Sequence, residues 1–288
     1  DPNTLGGTNG IGLRFFSPSS TEPQRKNQIW VNSFPESGKY WFPCKDSPSD
    51  LFASELIATV SSPYTVVAGG TLNSVVNNNN GSKTFHYKNN AKHSSYNWVF
   101  SVGEYIDFVQ KAGDVVIHNY GYTDELEATK ASVERLPDMF NFFENITGVR
   151  YPFNEYSQAF VQDLPWGISG NGISLQTENM VDDYNTHAEF FCLWDMLEGE
   201  ALAQQWFGNF VTVCGWNDAW MMKGMGRYFS ELYNEYKNGE QEFLLYQLSY
   251  DQSMVFADWD AGIRQPVINV LCDNVNTYPN SNQVGFGG

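Results

Sequence analysis

The hydrophobic period of this chain changes near Asn119, and that change restricts its fold more than any other feature. Before it, runs rich in β-branched and aromatic residues at 28–32, 51–60, 64–68, 84–87 and 97–102 are separated by Pro, Gly, Ser and Asn, the punctuation of short strands. The Asn-rich stretch 77–82 reads as a hairpin loop. After the change, Leu126, Val133, Leu136, Phe140 and Phe143 fall on one helical face, Pro137 should kink or split that helix, and Gly148 should close it. Strands are expected at 156–162 and 172–176. Helices follow at 186–207, with Phe190, Trp194, Leu197 and Ala201 on the apolar face, at 217–236 and at 240–255. The fold class is α+β: an amino-terminal β-sandwich or curved sheet over 1–118, then a mainly helical domain with a small sheet over 119–288.

With 21 Phe, 16 Tyr and 9 Trp in 288 residues, the chain has ample large side chains to fill two cores. Its 33 acidic against 16 basic residues leave a net charge of −17, which repels phosphate backbones and argues against this chain gripping DNA by itself. No apolar run reaches the length of a membrane span. Cys44, Cys192, Cys214 and Cys272 lack the paired spacings of zinc or redox motifs. The tripeptides beginning at Asn80 and Asn145 fit the glycosylation pattern, a weak pointer to secretion. The Pro/Asn/Gly-rich opening without an initiator Met reads as a piece of something longer, and the tail 274–288 as loose or the start of a further segment.

The chemistry-bearing stretch is Glu200-Ala201-Leu202-Ala203-Gln204-Gln205-Trp206-Phe207-Gly208-Asn209, followed by Trp216-Asn217-Asp218-Ala219-Trp220 and Lys223-Gly224. It resembles the zinc site of the aminopeptidase N type metallopeptidases. There a helix bears His-Glu-x-x-His before Gln-Trp-Phe-Gly-Asn, then Trp-Asn-Asp-x-Trp, then a Glu-Gly that supplies the third ligand. Two His at i and i+4 share a helical face and can hold zinc, while the Glu between them activates the bound water. In that family eighteen residues separate the second His from the third ligand, and eighteen separate Gln204 from Lys223 here.

In this register Glu200 stands at the first ligand, Ala201 at the general base, Gln204 at the second ligand and Lys223 at the third. A carboxamide is a poor zinc ligand, Ala takes no proton, and an ammonium opposes a dication. The resemblance also places the family's amine-binding Gly-x-Met-Glu-Asn loop at 166–170, with Ser169 where its Glu belongs; Asn171 could equally stand opposite the motif's Asn. His86, His93, His118 and His187 show no i, i+4 pairing and are assigned to no metal. The resemblance therefore implies a thermolysin-like domain without catalytic residues, metal or other cofactor. Glu200 and Lys223 either pair across the former site or stand separately solvated.

Trp41-Phe42-Pro43-Cys44-Lys45-Asp46 is similar to the family's Pro-Cys-x-Asp segment. Lys83-Thr84-Phe85-His86-Tyr87 and the replacements around Gln204 and Lys223 look like the aminopeptidase-like TBP-associated factors of TFIID. That branch implies a nuclear scaffold in RNA polymerase II initiation. Its partners would be other TFIID subunits and TBP, with core-promoter DNA engaged in the context of the complex and no membrane. Two other classes compete: an aminopeptidase with an atypical metal site, and a secreted pseudo-peptidase that binds peptides.

Overall fold

A computed structural model describes residues 12–260 and Gly262. Two sheets make the amino-terminal β-rich region. One has strands β1 (Gly12–Phe16), β2 (Gln28–Asn32), β4 (Thr65–Ala68) and β7 (Phe100–Gly103) in the order β1-β2-β7-β4. The other has β3 (Phe52–Ser61), β5 (Thr71–Asn77) and β6 (Ser82–His93) in the order β3-β6-β5. In β3 every second residue is exposed, so Leu56, Ala58 and Val60 pack inward while Glu55, Ile57 and Thr59 face water. Trp30, Val66, Val67, Phe85 and Tyr87 fill the space between the sheets.

The third sheet has order β11-β12-β10-β9-β8, built from β8 (Tyr105–Ala112), β9 (Val115–Tyr122), β10 (Glu155–Val161), β11 (Ile168–Gly170) and β12 (Ile173–Thr177). β9, β10 and β12 run parallel, and β8 and β11 close the two edges antiparallel. A division at 118/119 cuts through β9, whose hairpin partner begins at Tyr105. The sheets themselves change at Glu104, and we propose that position as the boundary. The core is continuous across it, because Ala159, Val161 and Leu175 of the third sheet join the same cluster as Trp30 and Val66.

Of the kink or split expected at Pro137 the structure has the split, into helices α1 (Leu126–Ser132) and α2 (Leu136–Thr147), with Pro137 at the start of α2. Gly148 closes α2 in the left-handed conformation at φ 67°, as expected from its position. Helix α3 (Tyr184–Ala203) begins where the Asp183 carboxylate accepts the N–H groups of Asn185 and Thr186. It ends four residues before Phe207, the expected terminus, and the turn that follows brings the Gln205 side chain to the third sheet, where it bonds residues 169–173. Phe190, expected on the apolar face, is half exposed; Trp194 and Leu197 pack inward and Ala201 is buried.

Helix α4 (Ala219–Asn238) packs on α3 at unusually short range. A Cβ on Gly199 would stand 2.8 Å from Ser230 Oγ, and one on Gly226 would stand 2.9 Å from Gln204 Cγ. Side chains at both positions would wedge the helices apart. The approach brings residue 200 of α3 beside residue 223 of α4. A last helical stretch comprises Glu240–Glu242, a π-helical turn at Phe243–Leu248 and Ser249–Asp260. The expected loose tail at 274–288 lies outside the described residues.

Candidate functional site

The carboxy-terminal turns of α3 place Glu200 and Gln204 one above the other, as i and i+4 residues must be. Gln204 Nε2 donates to Glu200 Oε1 at 3.0 Å. From α4, Lys223 Nζ reaches the same Glu200 Oε1 at 3.6 Å, with 16% and 19% of the two side chains exposed. Three of the four positions singled out in the sequence therefore meet, and of the two arrangements left open for Glu200 and Lys223 the structure has the ion pair. The fourth, Ala201, is buried on the neighbouring face, and its carbonyl accepts the Ser169 hydroxyl at 2.9 Å.

Ser169 does not enter the Glu200 cluster. It lies on edge strand β11, where its Oγ also accepts Gln205 Nε2 at 2.8 Å and Asn209 Nδ2 at 2.9 Å. Gln205 is the hub of this layer. Its Nε2 also donates to the carbonyls of Gly170 (3.0 Å) and Ile173 (3.3 Å), and its Oε1 accepts the Gly172 N–H at 3.0 Å. The fully buried Gln205 carboxamide thus satisfies three backbone groups of the 170–173 turn, with Asn209 Nδ2 also donating to the Gly170 carbonyl at 3.0 Å, which explains a buried carboxamide just beyond the end of α3. Neither Asn171 side-chain polar atom, both buried, has a protein partner.

The amino-terminal β-rich region supplies the remaining wall, from residues that sequence reasoning did not single out. The Phe34 ring centroid lies 5.5 Å from Lys223 Nζ and meets Trp216 edge-on at 5.6 Å. Glu36 Oε1 accepts Trp216 Nε1 at 3.0 Å, and Tyr96 Oη donates to the Gly208 carbonyl at 2.7 Å. Lys223 is therefore held between a carboxylate of α3 and an aromatic ring about 190 residues earlier in the chain, a proximity that no local pattern encodes.

Glu198, on a different face of the same helix, is fully buried. It accepts Gln158 Nε2 at 2.9 Å, with no cation against it. Burial pushes its carboxyl up to about 8, despite the Gln158 hydrogen bond. Burial also raises Asp195, one turn earlier, to about 6, although Arg135 Nη1 lies 2.5 Å away. A sequence signal for these two existed: Asp195 and Glu198 are spaced i, i+3 and so share a face that Glu200 does not.

The donor set does not fit zinc. One carboxylate is already shared by an ammonium and an amide N–H, and neither of those can offer a lone pair to a metal. Among the described residues, no group of three or more His, Cys, Asp or Glu side chains is placed to hold a metal ion. The histidines are dispersed. His93 is buried between Ser54 Oγ and the Ser94 carbonyl, His86 pairs with Glu55 and His118 with Asp107.

Two family patterns match this architecture: the peptidase family M1 domain over residues 131–281 and the peptidase M1 N-terminal domain over residues 15–97. The chain belongs to peptidase family M1. It is 29% identical over 238 residues to transcription initiation factor TFIID subunit 2 of Drosophila melanogaster, covering 81% of this chain and 19% of that one. The Gallus gallus TFIID subunit 2 is 27% identical over 240 residues, covering 81% and 20%. Endoplasmic reticulum aminopeptidase 1 of Mus musculus is 26% identical over 200 residues, covering 67% and 21%. The chain thus spans about a fifth of the length of these relatives. No helix among the described residues is long and apolar enough to cross a membrane.

Proposed function

We propose that this chain is the aminopeptidase-like part of a non-catalytic scaffold subunit of TFIID, acting in the nucleus in assembly of the RNA polymerase II preinitiation complex at core promoters. Glu200, Ala201, Gln204 and Lys223 are the retired positions of the M1 zinc site, and Ser169 stands in its former amine-binding loop. The observation that carries this reading is the Lys223 ammonium 3.6 Å from Glu200 in an otherwise kept M1 frame. A cation supplied by the chain itself occupies the junction of α3 and α4, and the side chain at the general-base position is a methyl group. The likeness to TFIID subunit 2 over 81% of the chain supports the transcriptional branch.

In this reading the partners are other TFIID subunits and TBP. Core-promoter DNA is engaged by the complex rather than by this chain alone, whose charge of −17 opposes phosphate. Affinity purification of the parent protein from nuclear extract, with identification of its partners, is the test. Co-purification of TBP and its associated factors is expected. Their absence, together with stoichiometric zinc and turnover of aminoacyl chromogenic substrates, would overturn the proposal in favour of an aminopeptidase.

A further inference from the structure

Charge is distributed very unevenly along this acidic chain. Residues 51–103 contain Lys83, Lys88 and Lys92 and a single carboxylate, Glu55, so the three-stranded sheet is a basic island on a molecule of net charge −17. Edge strand β5 lies in this island. All seven of its residues are exposed, none is charged, and none is Pro, and among the described residues no strand pairs with its outer side. Most edge strands carry charge, Pro or a covering element that blocks further pairing. β5 has only a register shift between Leu72 and Ser74, which leaves Ser74–Asn77 as a regular tract.

The inner row of this sheet is also unfinished. Leu72 stands opposite Tyr87 and Val75 opposite Phe85, so they point to the same face as two residues of the main core. Yet β5 itself contributes no residue to that core, and Leu72 and Val75 remain 39% and 42% exposed. One more strand alongside β5 would cover that row and satisfy the free backbone groups together. Lys83 and Lys88 face the two ends of β5, opposite Asn77 and Thr71. Lys88 is engaged by Glu55 at 3.1 Å, while Lys83 has no ion pair among the described residues.

We propose that the outer edge of β5 is a docking strand for an extended segment of a partner protein, apolar at alternate positions and flanked by carboxylates. Backbone hydrogen bonds to Ser74–Asn77 supply the register, Leu72 and Val75 receive the apolar side chains, and Lys83 selects acidic flanks. The site lies outside the former zinc region and does not depend on the transcriptional reading.

The test uses the 288-residue chain and two fluorescent peptides of alternating valine and threonine, one flanked by glutamates and one by lysines. Fluorescence anisotropy should show binding of the glutamate-flanked peptide, with the lysine-flanked one at least about tenfold weaker. Amide exchange at residues 74–77 should slow when the first peptide is added. Val75→Glu and Lys83→Glu alter exposed or half-exposed side chains, and far-UV circular dichroism would verify that each folds; each should weaken binding by about tenfold or more. The proposal is overturned if neither peptide binds, if both bind equally, or if the variants bind as the parent does. Concentration-dependent self-association that Val75→Glu abolishes would also overturn it, by assigning the edge to a second copy of this chain.

Discussion

Helix α3 carries two carboxylates only two residues apart whose surroundings are opposite. Glu200 sits where α3, α4 and the Phe34 loop converge, partly wetted, with an ammonium and an amide N–H on one oxygen. Glu198 is sealed against the third sheet with one neutral donor. The first is charged and compensated; the second is driven toward its neutral form by burial. The Glu200 face thus holds a semi-exposed ion pair, while the buried carboxylates of the helix lie on another face. On the proposed reading of residues 200, 204 and 223 as a retired metal site, the replacements neutralise one another. A carboxylate buried without a cation has no such compensation.

The largest expected effect comes from reversing the replacements on the Glu200 face. Combining Glu200→His, Gln204→His and Lys223→Glu restores two imidazoles at i, i+4 and a third carboxylate ligand, while Ala201 still leaves no general base. Elemental analysis of the folded variant should find about one zinc per chain, against none in the parent, with no gain of peptidase turnover. A folded triple variant that takes up no zinc would show that residues 200, 204 and 223 are not the ligand positions.

Next in size is Gln205→Ala, which removes the hub that bonds Ser169 and the 170–173 turn. The loss strips hydrogen bonds from the Ile173 carbonyl and the Gly172 N–H and leaves the Gly170 carbonyl with Asn209 Nδ2 alone, and should destabilise the chain by about 3–4 kcal/mol in urea unfolding. Ser169→Ala loses only a hydroxyl from the same layer, and about 1–2 kcal/mol is expected. A smaller effect for Gln205 than for Ser169 would mean that the frame is held elsewhere.

How far this arrangement was legible in the sequence depended on the range of the interaction. Strand β2 occupies the expected 28–32, Pro137 divides the helix it was expected to divide, and Gly148 caps it, because each is a local steric rule. The meeting of residues 200, 204 and 223 followed from helical spacing and the eighteen-residue interval in an M1 frame. The proposed boundary at Glu104 differs from the expected 118/119 because β9 belongs to its sheet through parallel pairing with residues 155–159, which its own period cannot reveal. The half-exposed Phe190 misled for a related reason: hydrophobic spacing marks a face, but a neighbouring element must cover it. Phe34 and Glu36 carried no motif at all, and their role arises only when Trp216 and Lys223 fold against them.

Glu198→Gln tests the buried face. The Glu198 carboxyl ordinarily ionises near 4.5 and is raised to about 8 by burial, so the folded state keeps a proton that the unfolded state releases across that window. Its contribution to stability is therefore greatest below about pH 4.5 and declines as pH rises toward 8. The substitution removes the titration, so variant and parent should differ little near pH 4. The variant should be more stable by roughly 2–4 kcal/mol near pH 8.5, measured by urea unfolding at each pH. A constant difference across the range would locate the effect in packing rather than in ionisation.

The smallest expected effect belongs to the Glu200–Lys223 ion pair. Both Glu200 and Lys223 keep some contact with water, so their attraction is screened, and a double-mutant cycle with Glu200→Gln and Lys223→Met should give a coupling of about 0.5–1 kcal/mol. In 1 M salt most of that coupling should vanish. The Lys223→Met single variant keeps an apolar stem against Phe34 and loses the charge, so it separates the cation–π contact from simple packing. A coupling several times larger and insensitive to salt would mean that water is excluded from the junction. Lys223 would then hold α3 to α4 through a desolvated pair, and the contrast between Glu200 and Glu198 would disappear.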